Sequence, residues 1–310
     1  MKNESIYVVG GGPAGVAAAI YLRRFSHEVT VIEPNPMLGG QVMIPHIIEN
    51  YLGFPKGING FEFASILHQH VQDLDIPIIH QKVTNIKNED INQFTIHLEN
   101  KETLPAKYIV CGIGTKNRPL NIPGEKEWTG RGVSTCGTCD GPLFKNKTIA
   151  VIGGGDTALT ETLFLSSYAK SIHLFHRRDA FRGFDILVKK IQNIPTINIH
   201  YSSIPVEIHG KEIVNSITYK NLTTDQTFKI PIDGVFVFAG YIPDTGICKD
   251  IVDIDEKGYI KVNAYKETKT PGFYAVGDIV SKSLRQIVTA MNDGAIAANH
   301  IHHQILNATM

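Results

Sequence analysis

The sequence predicts an α/β fold in which one strand–glycine turn–helix–strand unit is used twice. Three observations predict it. An apolar strand runs into glycines at residues 6–15 (IYVVGGGPAG). The same pattern returns at residues 149–158 (IAVIGGGDTA). Between and after the two copies lie short segments with the period-2 alternation of half-buried strands. Two such units imply two α/β domains. A length of 310 residues agrees, at about 100 to 200 residues per domain.

Each element has its own signal. After the first glycines comes VAAAIYLRR, a helical stretch, and then a β-branched strand at 29–32. Phe94, Ile96 and Leu98 alternate with Thr95, His97 and Glu99, so 83–86, 94–98 and 104–110 are expected to form a small meander. After the second glycines comes LTETLFLSS, again helical, and a strand at 172–175. A further β-rich stretch covers 205–238. The chain closes with a strand at 272–276, then Gly277-Asp278, then a helix from about Leu284 to Leu306.

Composition bounds the function. Thirty Lys and Arg balance thirty Asp and Glu. A net charge of zero argues against a general nucleic-acid surface, which must neutralise many phosphates. Hydrophobic residues at 43 % and charged residues at 19 % suit a sizeable core. Four cysteines are too few for a disulfide scaffold. The N-terminal MKNESIYVVGGG lacks the layout of a signal peptide. No apolar run approaches the roughly 18 residues of a membrane helix. A cytoplasmic protein without membrane contact is expected.

Gly10, Gly12 and Gly15 form G-x-G-x-x-G between a strand and a helix. The first permits a tight turn, the second lets the backbone approach a pyrophosphate, and the third lets helix and strand pack closely. The helix start then offers unpaired N–H groups to phosphate. Glu33 lies 18 residues past Gly15, where an acid can accept hydrogen bonds from a ribose. A dinucleotide site is expected here.

Gly153, Gly155 and Ala158 form the G-x-G-x-x-A variant. At the end of the following strand the acid is missing. His176, Arg177 and Arg178 stand there, with Arg182 one turn further. Arginines bind a 2′-phosphate through charge-assisted, bidentate hydrogen bonds. This domain is expected to choose NADPH over NADH.

Cys136-Gly137-Thr138-Cys139 is a C-x-x-C followed by Asp140. That spacing allows a short redox disulfide and commonly lowers a thiol pKa. A metal half-site would need a second ligand pair, and neither the other cysteines nor the 13 histidines offer ligand spacing. No metal is expected. Plain packing is the remaining reading, and it is the preferred one for Cys111 and Cys248. A disulfide beside a nicotinamide domain, with a second dinucleotide site in the chain, points to a flavin between them. A flavin exchanges electrons with both partners.

Taken together these residues resemble the low-molecular-weight, bacterial-type thioredoxin reductases. The likeness runs through GGGPAG at 10–15, GGQ at 39–41, ENYLGFP at 49–55, IPGE at 122–125 and CGTCDG at 136–141. It continues through GGGDTA at 153–158, HRRDAFR at 176–182, AVGD at 275–278 and RQIVTA at 285–290. It implies two Rossmann-like dinucleotide-binding domains of the three-layer ββα type. The NADPH domain (117–245) is inserted into a discontinuous FAD domain (1–116 and 246–310). Residues 115–119 and 241–246 would be hinge strands, about which the inserted domain rotates during turnover.

By the same resemblance Gln41, Asn50, Asp278, Arg285, Gln286 and Ile287 contact FAD. Asp156, Thr157 and His176 join the arginines at NADPH. Cys139 would face the flavin, Cys136 would attack the substrate disulfide, and Asp140 would be the acid–base group. The implied activity is transfer of electrons from NADPH through FAD and the Cys136–Cys139 disulfide to oxidised thioredoxin or a thioredoxin-like protein, by a homodimer.

The chain departs from the family at Cys111-Gly112-Ile113-Gly114, at Asn292-Asp293 and at Gly183. None of these removes a redox or phosphate-binding group. Two rival readings are a relative that takes electrons from ferredoxin or passes them to oxygen, and a redox-silent flavoprotein. The retained arginine cluster argues against the first, and the intact Cys136, Cys139 and Asp140 against the second.

Overall fold

The computed structural model describes residues 5–309. The chain divides into two units. One comprises Met1–Met43, Ile47–Lys116 and Ile242–Met310, and the other Ile44–His46 and Asn117–Tyr241. Two short strands, Thr115–Asn117 and Tyr241–Pro243, pair with each other where the chain passes between units. Both are shorter than the hinge segments expected from the sequence.

The first unit is built on a five-stranded parallel sheet. Its order is Phe273–Ala275, Tyr108–Cys111, Ile6–Val9, Val29–Ile32, Ile78–Ile79. Alternate side chains leave a strand on opposite faces, and here both faces are covered. Val8, Val31, Val110 and Tyr274 join a core with Ala14, Ala18 and Leu22 of the helix Pro13–Arg24 and with Ala297 and Ile301 of the helix Ile287–Thr309. Val9, Ile32, Cys111 and Ala275 pack instead on Val83, Phe94, Ile96 and Leu98. Those belong to an antiparallel meander of Val83–Asp90, Gln93–Leu98 and Thr103–Ala106. The result is three layers: helices, parallel sheet, antiparallel sheet.

The second unit repeats the plan. Its parallel sheet runs Ile197–His200, Ser171–Phe175, Thr148–Gly153, Gly234–Phe238, Val133–Ser134. Val151, Leu174 and Phe236 face the helices Asp156–Leu165 and Asp185–Gln192. Ala150, Phe175 and Val237 face the antiparallel strands Ser203–Gly210, Val214–Asn221 and Thr227–Pro231. Both units thus have the expected doubly covered α/β architecture.

Three sequence expectations need correction. Residues 104–110 are not one strand. Thr103–Ala106 closes the meander, whereas Tyr108–Cys111, buried on both faces, enters the parallel sheet. The β-rich stretch 205–238 divides in the same way, because Gly234–Phe238 is apolar without alternation and wholly buried. Continuous apolar runs mark parallel strands covered on both sides, and alternation marks the half-covered ones. The C-terminal helix begins at Ile287, not at Leu284. The segment before it is held by Arg285, whose guanidinium donates to the carbonyls of Asp278 and Val280 and lies 3.7 Å over the Tyr259 ring.

Asp293, one of the departures, is 3 % exposed. Its carboxylate accepts from Lys266 at 2.9 Å, Lys282 at 2.8 Å and the Gly277 amide at 3.2 Å. Removing one member of such a buried cluster strands the others. Asp293→Ala should lower stability by about 3 kcal/mol, seen as an earlier midpoint in urea unfolding. An unchanged midpoint would show that the lysines find other partners.

Candidate active site

In the first unit the glycine turn is shaped by its backbone. Gly10 has φ +102°, and its amide donates to the Ile32 carbonyl at 2.9 Å. A side chain on Gly15 would strike the Gly10 carbonyl, which fixes how the helix Pro13–Arg24 leaves the sheet. Gly12 caps that helix, and the place its side chain would take is open, with no atom within 4 Å. Glu33 is 8 % exposed. One carboxylate oxygen accepts from the Gly11 amide at 2.8 Å, the other from the Asn35 amide at 3.1 Å and its side chain at 2.6 Å. Glu33 therefore clamps the turn to the second strand, and its oxygens keep further lone pairs for a ribose.

The other sequence-predicted residues of this unit fall into three groups. Gln41 donates to the Thr115 carbonyl at 2.6 Å and to its hydroxyl at 2.9 Å. Asn50 donates to the Gln286 side-chain oxygen at 2.9 Å, joining two loops 236 residues apart in sequence. Gln286 immediately precedes Ile287, the first residue of the last helix. Asp278 lies in the turn Gly277–Ile279. Its Oδ1 is buried without a hydrogen-bond partner. Burial pushes its carboxyl above the usual carboxylate range, opposed by Lys282 and Arg285. An orphaned buried oxygen is costly unless a bound group satisfies it. Together with the open cradle at Gly12, it fits a dinucleotide with a hydroxylated chain, as FAD has.

Cys111 and Cys248 are both buried free thiols. The Cys111 thiol beside it and burial push the Cys248 thiol upward, so it is held protonated. This is the inert packing role expected of them.

In the second unit Cys136 and Cys139 form a disulfide, with Cα atoms 5.4 Å apart. They flank the start of the short helix Gly137–Asp140. Cys136 Sγ accepts from the Cys139 amide at 3.2 Å, and the Ser134 hydroxyl accepts from the Cys136 amide at 3.0 Å. Cys139 is exposed, and Cys136 and Asp140 are half-buried. Asp140 directly follows the pair on the same turn.

The second glycine turn and the arginines are stitched together. Gly155 caps the helix Asp156–Leu165, and its missing side chain also faces open space. Asp156 accepts from the Phe184 amide at 2.7 Å, and the Arg182 amide donates to the Gly154 carbonyl at 2.8 Å. Thr157 follows on the first turn of that helix, half-buried.

Arg177, Arg178 and Arg182 are exposed. Among the described residues none of them forms an ion pair. Burial and then its two neighbouring arginines pull Arg182 down. Three uncompensated like charges at one strand end are the electrostatics of an anion site. His176 differs from them. It is 5 % exposed, its ring lies against Gly154, and burial favours the neutral form. It forms the floor of the turn, and its Nε2 is buried without a partner.

One residue beside the site escaped sequence reasoning. Glu161 is 1 % exposed and lies under the cysteine turn. It shares the buried side of its helix with Ala158, Leu159, Thr162 and Leu165, and no local sequence pattern marks it.

The chain matches the family described as Pyridine nucleotide-disulphide oxidoreductase over residues 4–294. It is 35 % identical to the thioredoxin reductase of Ureaplasma parvum, over 96 % of each chain. It is 36 % identical to that of Treponema pallidum, over 96 % of this chain and 95 % of that one. Among solved structures it is similar to Lactococcus lactis thioredoxin reductase in the FR conformation. There the identity is 34 %, the TM-score 0.94, and the coverage 98 % of this chain and 99 % of that one.

Proposed function

Because the chain belongs to the pyridine nucleotide-disulphide oxidoreductase family, we propose a route by which its own residues reduce a protein disulfide. The protein is an enzyme that uses NADPH and FAD, and its reaction is disulfide reduction of the thioredoxin reductase kind. FAD, when bound, supplies two-electron exchange with both a nicotinamide and a disulfide.

Gly12 leaves room for the FAD pyrophosphate against the helix start, Glu33 accepts from a ribose, and Asp278 takes a hydroxyl of the ribitol. Gln41, Asn50, Gln286 and Ile287 line the flavin side. Arg285 supports that wall from behind through its carbonyl contacts. Gly155, Asp156 and Thr157 present the second helix start to NADPH, with His176 as the floor beneath. Arg177, Arg178 and Arg182 hold the 2′-phosphate. Cys139 receives electrons, Cys136 attacks the acceptor disulfide, and Asp140 moves the proton that a departing thiolate needs. The acceptor is thioredoxin or a thioredoxin-like protein. The family likeness also supports a homodimer working in the cytoplasm.

The closed Cys136–Cys139 disulfide on a surface turn carries this reading. The FAD-loaded protein should oxidise NADPH steadily when oxidised thioredoxin is added, and only slowly without it. Equal rates with and without thioredoxin would refute the acceptor. The cradle can be tested separately. Gly12→Val starts its side chain at a Cβ that, chain neighbours apart, has no protein atom within 4 Å, so the fold should be spared and FAD blocked. Purified Gly12→Val should retain its circular dichroism and lose most of its flavin absorbance. Full flavin content would contradict the placement.

A further inference from the structure

The helix Asp156–Leu165 buries Ala158, Leu159, Glu161, Thr162 and Leu165. A carboxyl group on that stripe is expensive to desolvate. Glu161 is 1 % exposed, and its Oε2 has no hydrogen-bond partner. What its carboxyl faces is the redox turn. The backbone N–H groups of Gly137 and Thr138 donate to it. A methyl group on Gly137 would overlap Oε2. Gly137 and Thr138 are the two residues between the cysteines. Thr138 Oγ1 is also buried without a partner. A carboxyl with an unused oxygen thus lies directly under the loop that the disulfide closes.

The titratable groups on the surrounding elements are few. Asp156 is on the same helix, the His46 ring lies 4.8 Å from the ring of Phe164 on that helix, the two cysteines and Asp140 are on the turn, and Asp185, Lys189 and Lys190 are on Asp185–Gln192. The causes of the Glu161 shift are burial, which pushes its carboxyl up to about 7, and the two amides, which oppose it. Its charge is therefore balanced by no cation and changes within the working range of a cell.

We infer that Glu161 is a positioning residue whose protonation is coupled to reduction of the Cys136–Cys139 disulfide. The inference rests on the disulfide-reductase reading above. Reduction breaks the S–S bond and two electrons enter the two sulfurs. One sulfur takes a proton from solvent and becomes a thiol, and the other stays a thiolate, which the C-x-x-C spacing favours, on the turn that Glu161 contacts. Like charges close together disfavour each other. Ionised Glu161 opposes electron uptake by the pair, and protonated Glu161 does not. Reduction in turn draws a proton onto the Glu161 carboxyl. The sign follows by linkage: the carboxyl pKa is higher in the reduced state than in the oxidised one.

The test uses the full-length, FAD-loaded protein and its Glu161→Gln variant. Each is equilibrated with graded ratios of reduced to oxidised dithiothreitol, and the thiols are trapped with a maleimide and counted by mass. Well below pH 7 the two reduction curves should coincide, because both side chains are neutral. Well above pH 7 the variant should reach half-reduction at a roughly tenfold lower ratio, one pKa unit of charge interaction. Curves that coincide at both pH values, or that differ by the same factor at both, overturn the coupling. A second readout needs no variant. The infrared band of a protonated carboxyl in the oxidised wild type should fade as pH rises through about 7 and return on reduction just above that pH. A band indifferent to reduction overturns the inference. A pair that dithiothreitol never reduces overturns the reductase reading itself, and the coupling with it.

Discussion

Cys136→Ser should lose reduction of protein disulfides by about 10³-fold or more, while its flavin is still bleached by NADPH in the absence of oxygen. The reason lies in which sulfur does what. Cys136 is the proposed attacking thiol, and serine cannot form the mixed disulfide that exchange requires. Nothing in the glycine turns, Glu33, Asp278 or the arginine cluster depends on that sulfur. FAD and NADPH binding should therefore survive. The turn itself should persist, because it is the backbone amide of residue 136, not its side chain, that donates to the Ser134 hydroxyl. Stopped-flow absorbance measures the flavin step, and NADPH oxidation with oxidised thioredoxin measures the whole. Retained thioredoxin turnover would remove Cys136 from the mechanism.

Removing the arginines should have the second-largest effect. Arg177→Ala and Arg178→Ala should each lower kcat/KM for NADPH by about 10- to 100-fold, the worth of one or two charge-assisted hydrogen bonds of roughly 1.5–3 kcal/mol. Activity with NADH should hardly move, since NADH has no 2′-phosphate. Both side chains are exposed and free of ion pairs among the described residues, so their loss costs the fold little. The preference ratio is the informative quantity. An equal fall with both nucleotides would mean that the arginines support the fold and do not read the phosphate.

The two glycine turns were legible in the sequence because glycine is demanded there by backbone geometry. Gly10 has a positive φ, and Gly15 touches the Gly10 carbonyl. No other residue type meets those conditions cheaply. The cysteine pair was legible from its spacing, and the arginines from the missing acid at the strand end. Strand membership was less legible. Tyr108–Cys111 and Gly234–Phe238 follow antiparallel neighbours closely in sequence, yet both join parallel sheets. Pairing partners are set by long-range packing, which a local pattern does not carry. Glu161 was missed for a related reason. Within LTETLFL it looks like any helical glutamate, and only the tertiary contact with Gly137 gives it meaning. Arg285 carries more than its motif suggested: its guanidinium also ties the segment before the last helix to two carbonyls and a tyrosine ring.

The central claim is that the Cys136–Cys139 disulfide and the flavin are two electron acceptors in series. Anaerobic titration of the FAD-loaded protein with NADPH tests it most directly. Each acceptor takes two electrons, so complete bleaching should consume about two equivalents of NADPH per chain. New thiols should appear at Cys136 and Cys139, and Cys136→Ser should need only about one equivalent. Full bleaching of the wild-type protein by a single equivalent, with both cysteines still closed, would contradict the account.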